Sequence, residues 1–294
     1  MIGVCYMDII DEAFEFYDIN EKYKEQCYIC AQDMNNDDKK NAFNKVYNTL
    51  YYGDFSEIEK FWDINNINNL FTENIHPFVT NLMIVLGYEI HKNNMKKYNF
   101  DTNQVQAHKK RVKECFESDL INRGYPSVRI SQMLWAIYFI RIKIIEIGRL
   151  QYEYFSTIDN TDIVKIHIPK NGKLNIDLVK ESILDSKEIL ESIYKIKNIK
   201  YVCNSWLLSN EIYANVSKNS NISKFHDLFD VEDGDDCVSD ILNFVWQIKT
   251  CDNYATLQEN TTLQKIIKNS LLNGEMFHLG MGTLKLERIY HVCK

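Results

Sequence analysis

Ile147-Gly148-Arg149-Leu150-Gln151-Tyr152-Glu153-Tyr154-Phe155 is followed, after the polar stretch Ser156–Asp162, by Ile163-Val164-Lys165-Ile166-His167-Ile168. Successive side chains of a strand face opposite sides of a sheet. Leu150, Tyr152 and Tyr154 therefore share one face, and Arg149, Gln151 and Glu153 the other. In the second stretch Val164, Ile166 and Ile168 oppose Lys165 and His167. If the two strands pair as a hairpin, Glu153 or Gln151 comes near His167. A sheet begins here, and it sets the fold class.

Downstream, Pro169 ends the second strand, and Asn175 caps a helix over Ile176–Tyr194 with Val179, Ile183, Leu184, Ile189 and Leu190 on its apolar face. Lys200–Leu208 reads as a central strand, and Ser220-Asn221 precedes a short helix through Phe229. Glu232–Asp236 reads as an acidic turn leading to a strand over Ile241–Ile248. Thr262 opens a helix through Leu272 that Gly274 stops, and Met276–Leu286 is a last strand. Strands interleaved with helices make this half an α+β or α/β sheet domain.

Upstream the period changes. Ile9–Ala31, Asp38–Tyr51, Pro77–Lys92 and Asn103–Ile121 carry apolar residues at helical spacing, and Ser56-Glu57-Ile58-Glu59 resembles a capping box. A further helix is expected over Ser127–Glu146. The change of signal at Gly124-Tyr125-Pro126 places the boundary between a helical part, residues 1–124, and a sheet part, residues 125–294.

Of the 294 residues, 45% are hydrophobic and 26% charged, with a net charge of −7. That composition supports a packed core. It opposes nucleic-acid binding, which needs a basic face; the cluster Lys109-Lys110-Arg111-Val112-Lys113 reads as a solvated helix face. Met1–Asp8 lacks the features of a signal peptide, and no apolar run reaches the roughly 20 residues that span a bilayer. A cytoplasmic protein without membrane partners is expected, its eight cysteines reduced. Cys27 and Cys30 have C-x-x-C spacing but no second ligand pair, and His226, His278 and His291 are too scattered for a metal, so none is expected.

Several motifs occur in order along the sheet half. Ile147–Glu153 resembles the segment LGRLQFE of a bacterial group of acyltransferase domain-containing proteins. Val164–Pro169 with Gly172, Leu174 and Asn175, then Cys203-Asn204-Ser205-Trp206-Leu207-Leu208, then Ser220-Asn221-Ile222 with Phe225 and Phe229, then Thr262-Leu263-Gln264 with Gly274, resemble later segments of the same group. That group joins a helical N-acyltransferase N-terminal domain to a GNAT-like C-terminal domain. The resemblance implies an α+β chain with a helical N-terminal domain (1–124) and a GNAT-like mixed sheet domain (125–294). It implies direct transfer of an acyl group from acyl-CoA, or from an acyl carrier protein, to an amine of a small molecule or peptide. A noncatalytic GNAT-like binding or interaction module is the alternative. The chain departs from the wider GNAT pattern at the donor loop. Where a glycine-rich Q/R-x-x-G-x-G/A segment is usual, Pro169-Lys170-Asn171-Gly172-Lys173-Leu174 has one glycine.

Amide acyl transfer requires deprotonation of the amine, stabilisation of the oxyanion and departure of the thiolate. His167 is the expected base because imidazole titrates near neutrality, with Glu153 as a second base or as the group orienting it. Ser205 is expected to protonate the thiolate, and Cys203 is a conceivable acyl-enzyme nucleophile. Arg149, Gln151, Asn204 and Trp206 are candidate substrate-binding residues. Lys170, Gly172, Lys173 and Asn175 are candidates for the donor's phosphates, through lysine charge and amides at a helix start.

Overall fold

The computed structural model describes residues 6–290 apart from 65, 72, 73 and 171. The readings made at Met1–Cys5, Asn171 and His291 lie outside them. The chain folds as two compact units, Met1–Ile145 and Glu146–Lys294.

The first unit is helical: α1 (Tyr6–Tyr17), α2 (Lys24–Met34), α3 (Asp37–Tyr52), α4 (Phe55–Glu59), α5 (Val79–Leu86), α6 (Tyr88–Lys97), α7 (Thr102–Asn122) and α8 (Ile130–Ile140). The helix expected from Ile9 to Ala31 is split because Asp18 turns left-handed, with φ 55°, a conformation a short polar side chain tolerates. α5 and α6 break at Gly87, where a Cβ would lie 2.3 Å from the Tyr51 hydroxyl. That hydroxyl donates to the Met83 carbonyl at 2.5 Å. α4 begins after Asp54 rather than Ser56, without a side-chain cap. α7 opens on a reciprocal cap between Asp101 and Gln104. In its basic cluster Arg111 is buried and paired with Glu114 rather than solvated.

α8 packs on α7, α5 and α6. Met133, Leu134, Ile137 and Phe139 are buried in the helical core. A helix so apolar around its circumference needs cover on several sides, and its sister helices provide it. The compact units divide at 145/146, with α8 in the first. The helix itself stops at Ile140, and Ile142 is left-handed at φ 55°.

The second unit is built on a six-stranded sheet of β1 (Ile144–Ile147), β2 (Leu150–Ile158), β3 (Thr161–His167), β4 (Ile199–Ser205), β5 (Phe229–Asp236) and β6 (His278–Leu284), ordered β1-β2-β3-β4-β6-β5. α9 (Ile176–Tyr194) connects β3 to the parallel β4. Short α10 (Asn210–Asn215) and α11 (Asn221–His226) follow β4, α12 (Val238–Ile241) and α13 (Thr262–Leu272) lie between β5 and β6, and α14 (Glu287–Tyr290) comes last. β2 and β3 form an antiparallel hairpin, turned at Asp159 and Asn160 with φ 49° and 58°, the positive values a tight hairpin turn requires. β6 lies antiparallel between β4 and β5.

Two expected elements differ. Ile241–Ile248 is helical: α12 runs into a π-turn, Leu242–Trp246, ended by left-handed Gln247. Ile241 and Leu242 are buried with Cys237, Leu257 and Ile267, and a short apolar run does not by itself separate strand from helix. Glu232–Asp236 is the second half of β5 rather than a turn. β5 is an edge strand, where carboxylates face water and protect the open edge.

Candidate active site

The chemistry gathers where two parallel strands part. β3 pairs with β4 from Asp162↔Ile199 to Lys165↔Val202. β3 continues to His167 and β4 to Ser205 beyond the last pair between them. Beyond that pair the C-terminal ends of the two strands are no longer paired with each other, and the chain after β3 leads into the N-terminus of α9.

The hairpin register sets Gln151 opposite His167 and Glu153 opposite Lys165. All four lie on the sheet face away from α9, because the intervening Tyr152 meets α9 through Ser182, 2.9 Å from its hydroxyl. His167 Nε2 lies 2.8 Å from Glu153 Oε2. The carboxylate is nearly covered, with 7% of its side chain exposed, against 28% for the imidazole. A covered carboxylate bonded to a more open imidazole orients the ring. The expected juxtaposition of Glu153 and His167 is present. Gln151, also buried, donates to Glu146 Oε2 at 2.8 Å.

β4 divides the remaining candidates between two faces. Asn204 follows Val202 by two residues and shares the face of His167, on the other side of the parting strands. It is exposed and lines a cavity of about 400 Å³ with Lys200, Glu232, Met281 and Thr283. Cys203 and Ser205 face the other way, with Tyr201, whose hydroxyl lies 2.8 Å from Ser186 of α9. Cys203 is 1% exposed, and burial pushes its thiol up to about 12. A thiol so protonated is a small core residue rather than a nucleophile. Ser205 Oγ accepts from the Leu207 amide at 3.2 Å and caps a short 3-10 turn; a hydroxyl in that role keeps its own proton to donate. Trp206 stacks on Phe244, ring centroids 6.3 Å apart, against the apolar cluster around Phe277.

On the donor side, Asn175 caps α9 as expected, accepting from the Asp177 amide at 2.9 Å and the Leu178 amide at 3.2 Å. Those two amides are thereby satisfied within the chain. Lys170, Gly172 and Lys173 are exposed along the loop. Arg149 reaches the same loop, donating to the carbonyls of Lys173 at 2.9 Å, Pro169 at 3.1 Å and Gly172 at 3.2 Å. These three contacts are with the loop backbone.

One acid–base pair escapes sequence reading. His278, at the start of β6, bonds through Nδ1 to Glu211 Oε1 at 2.7 Å. The Glu211 contact raises the imidazole above its usual range. Glu211 is held low although burial opposes this, because Ser209 and His278 donate to it. The partners are 67 positions apart, a separation no local spacing signals. Among the described residues no group of three or more His, Cys, Asp or Glu side chains is placed to hold a metal ion. No helix among them is long and apolar enough to cross a membrane.

Solved structures share this architecture. An acyltransferase in complex with decanoyl-CoA has a TM-score of 0.75 and 16% identity, covering 94% of this chain and 87% of its own. An acyltransferase in complex with CoA and 10C-teicoplanin gives a TM-score of 0.74 at 14% identity, with 94% and 87% covered. An acyltransferase in complex with decanoyl-CoA and teicoplanin gives 0.73 at 15%, with the same coverage. At these identities the likeness is one of fold. A search of curated proteins finds no match. The family described as GNAT-like C-terminal domain matches residues 144–284, the span from β1 to the end of β6. Residues 144–284 of this chain are a GNAT-like C-terminal domain.

Proposed function

We propose that the protein is an acyltransferase that moves an acyl group from acyl-CoA directly to an amine of a small molecule or peptide. The observation that carries this reading is the His167–Glu153 pair, 2.8 Å apart beside the parting of β3 and β4. The GNAT-like match and the acyl-CoA complexes of proteins with this fold support the donor. The teicoplanin complexes support a small-molecule acceptor. They favour CoA over an acyl carrier protein as the carrier of the acyl group.

The amine enters on the His167 face. Neutral His167 accepts a proton from the nitrogen as it attacks the thioester carbonyl, and Glu153 stabilises the imidazolium. Asn204, on the same sheet face, donates to the oxyanion. Collapse breaks the carbon–sulfur bond, releasing the amide and CoA thiolate; Ser205, at the end of β4, protonates the thiolate and regains through water the proton that His167 took from the amine, which returns His167 to its starting state. Cys203 forms no intermediate.

Native mass spectrometry with acyl-CoAs from acetyl to decanoyl tests the donor, and thiol release over a panel of amines tests transfer. Binding of at least one acyl-CoA is expected, and failure of all of them removes the reading. His167→Ala is expected to lower kcat by about 10²-fold or more, the usual contribution of a general base, with the donor Kd little changed.

A further inference from the structure

The loop between β3 and α9 has one glycine among residues 169–175. Something other than glycine must set the directions of its peptide groups. Three of its carbonyls, those of Pro169, Gly172 and Lys173, accept from the guanidinium of Arg149. No peptide bond among the described residues is cis. In a trans peptide the N–H points opposite to the carbonyl that precedes it. The amides of Lys173 and Leu174 therefore point away from Arg149, and neither has a backbone acceptor among the described residues. Asn175 takes the amides of Asp177 and Leu178, so the amides of Lys173 and Leu174 stand just ahead of an α9 start whose own cap is filled.

The residue that aims them is itself fixed. Gly148 is left-handed at φ 56°, and a Cβ there would lie 3.2 Å from the Ser182 Cβ. Ser182 Oγ donates to the Ile147 carbonyl and accepts the Leu150 amide at 3.2 Å. The turn between β1 and β2 is thus pinned to the middle of α9, while Arg149 ties the loop before α9 to that same turn.

We propose that Arg149 is a positioning residue for the donor: it gathers the loop carbonyls on one side so that the amides of Lys173 and Leu174 face the pyrophosphate of acyl-CoA. The proposal rests on the acyl-CoA reading above. It replaces direct substrate contact by Arg149 with orientation of the backbone. It also accounts for the identity of the side chain, since a planar fork with five N–H donors spans several carbonyls and a lysine ammonium does not reproduce that geometry.

The test compares two donors, decanoyl-CoA and decanoyl-pantetheine, which carries the same thioester without the pyrophosphate and adenosine. Their Kd values are measured by calorimetry for the parent chain of 294 residues and for Arg149→Lys and Arg149→Met. Both variants are expected to bind decanoyl-CoA about tenfold more weakly, the scale of one misaligned hydrogen bond to a charged group, and decanoyl-pantetheine nearly as well as the parent does. Arg149→Lys keeps the charge and decides the matter if Arg149→Met fails to fold. Equal weakening toward both donors, or unchanged decanoyl-CoA binding, overturns the role of Arg149. A parent protein that binds neither donor overturns the acyl-CoA reading and this proposal together.

Discussion

The imidazole of His167 and the carboxylate of Glu153 meet because two adjacent strands carry them in register, Glu153 two pairs along from His167's partner Gln151 and on the same face. Glu153→Gln keeps the shape of the side chain and removes its charge. Turnover is expected to fall about 10-fold to 10²-fold, while the donor Kd stays within about twofold of the parent, less than one hydrogen bond's worth. Cys203 makes the opposite case. Buried, with its thiol pushed up to about 12, it is expected to resist iodoacetamide in the folded protein. Cys203→Ala should keep kcat within about threefold while losing roughly 1 kcal/mol of stability, read from urea unfolding; loss of turnover with the fold intact would restore a nucleophilic role.

Among the elements, β6 has the least freedom. A Cβ on Gly280 would lie 2.2 Å from the Leu208 carbonyl oxygen, so the strand passes directly under the turn that ends β4. Gly280→Ala is expected to lower stability by about 2–3 kcal/mol, the range of overpacking against unyielding atoms, and a urea midpoint equal to the parent's would show that the turn moves aside. α9 is governed by its cap. Asn175→Ala removes the bonds to Asp177 and Leu178 and should cost about 1 kcal/mol, measured the same way. Sequence and structure agree most closely on these elements. Strict alternation over Leu150–Tyr154 and Val164–His167, and a capping asparagine before a periodic helix, are local signals that tertiary packing has no reason to overrule. β5 and the segment from Ile241 to Ile248 were not legible in the same way. An acidic edge strand is held by its neighbour rather than by its own composition, and the Ile241 segment takes its shape from the pocket that buries it. Arg149 marks the limit within the site: its residue type was visible, but its attachment to carbonyls 20 to 24 positions away depends on where the hairpin meets α9.

At the scale of the molecule, the helical unit carries an acid-sensitive element. His91 and His108 are fully buried in it, their rings 5.7 Å apart. Burial holds His91 well below its usual range and brings His108 to about 3, and the neighbouring His108 and Arg111, respectively, oppose protonation further. Tyr17 faces His91, its hydroxyl 3.0 Å from Nδ1, and Phe100 and Phe139 pack on His108. The unfolded chain takes up these protons near pH 6.5, while the folded chain does not. Stability from the two histidines is therefore present above pH 6.5 and falls as pH drops from there toward about 3, by about 1.4 kcal/mol per pH unit for each. Urea midpoints at pH 7, 6 and 5 should decline, and His108→Phe should flatten the decline; a slope unchanged by the substitution would place the acid sensitivity elsewhere.

The bonds from Arg149 to residues 169, 172 and 173 also bear on engineering. A loop governed from a separate turn is not a portable cassette. Grafting residues 169–175 from a relative onto this chain transfers the letters of the loop but leaves its geometry under the host's position 149. Two segments distant along the gene thus form one exchangeable module, and a chimaera with its crossover between them would inherit mismatched halves.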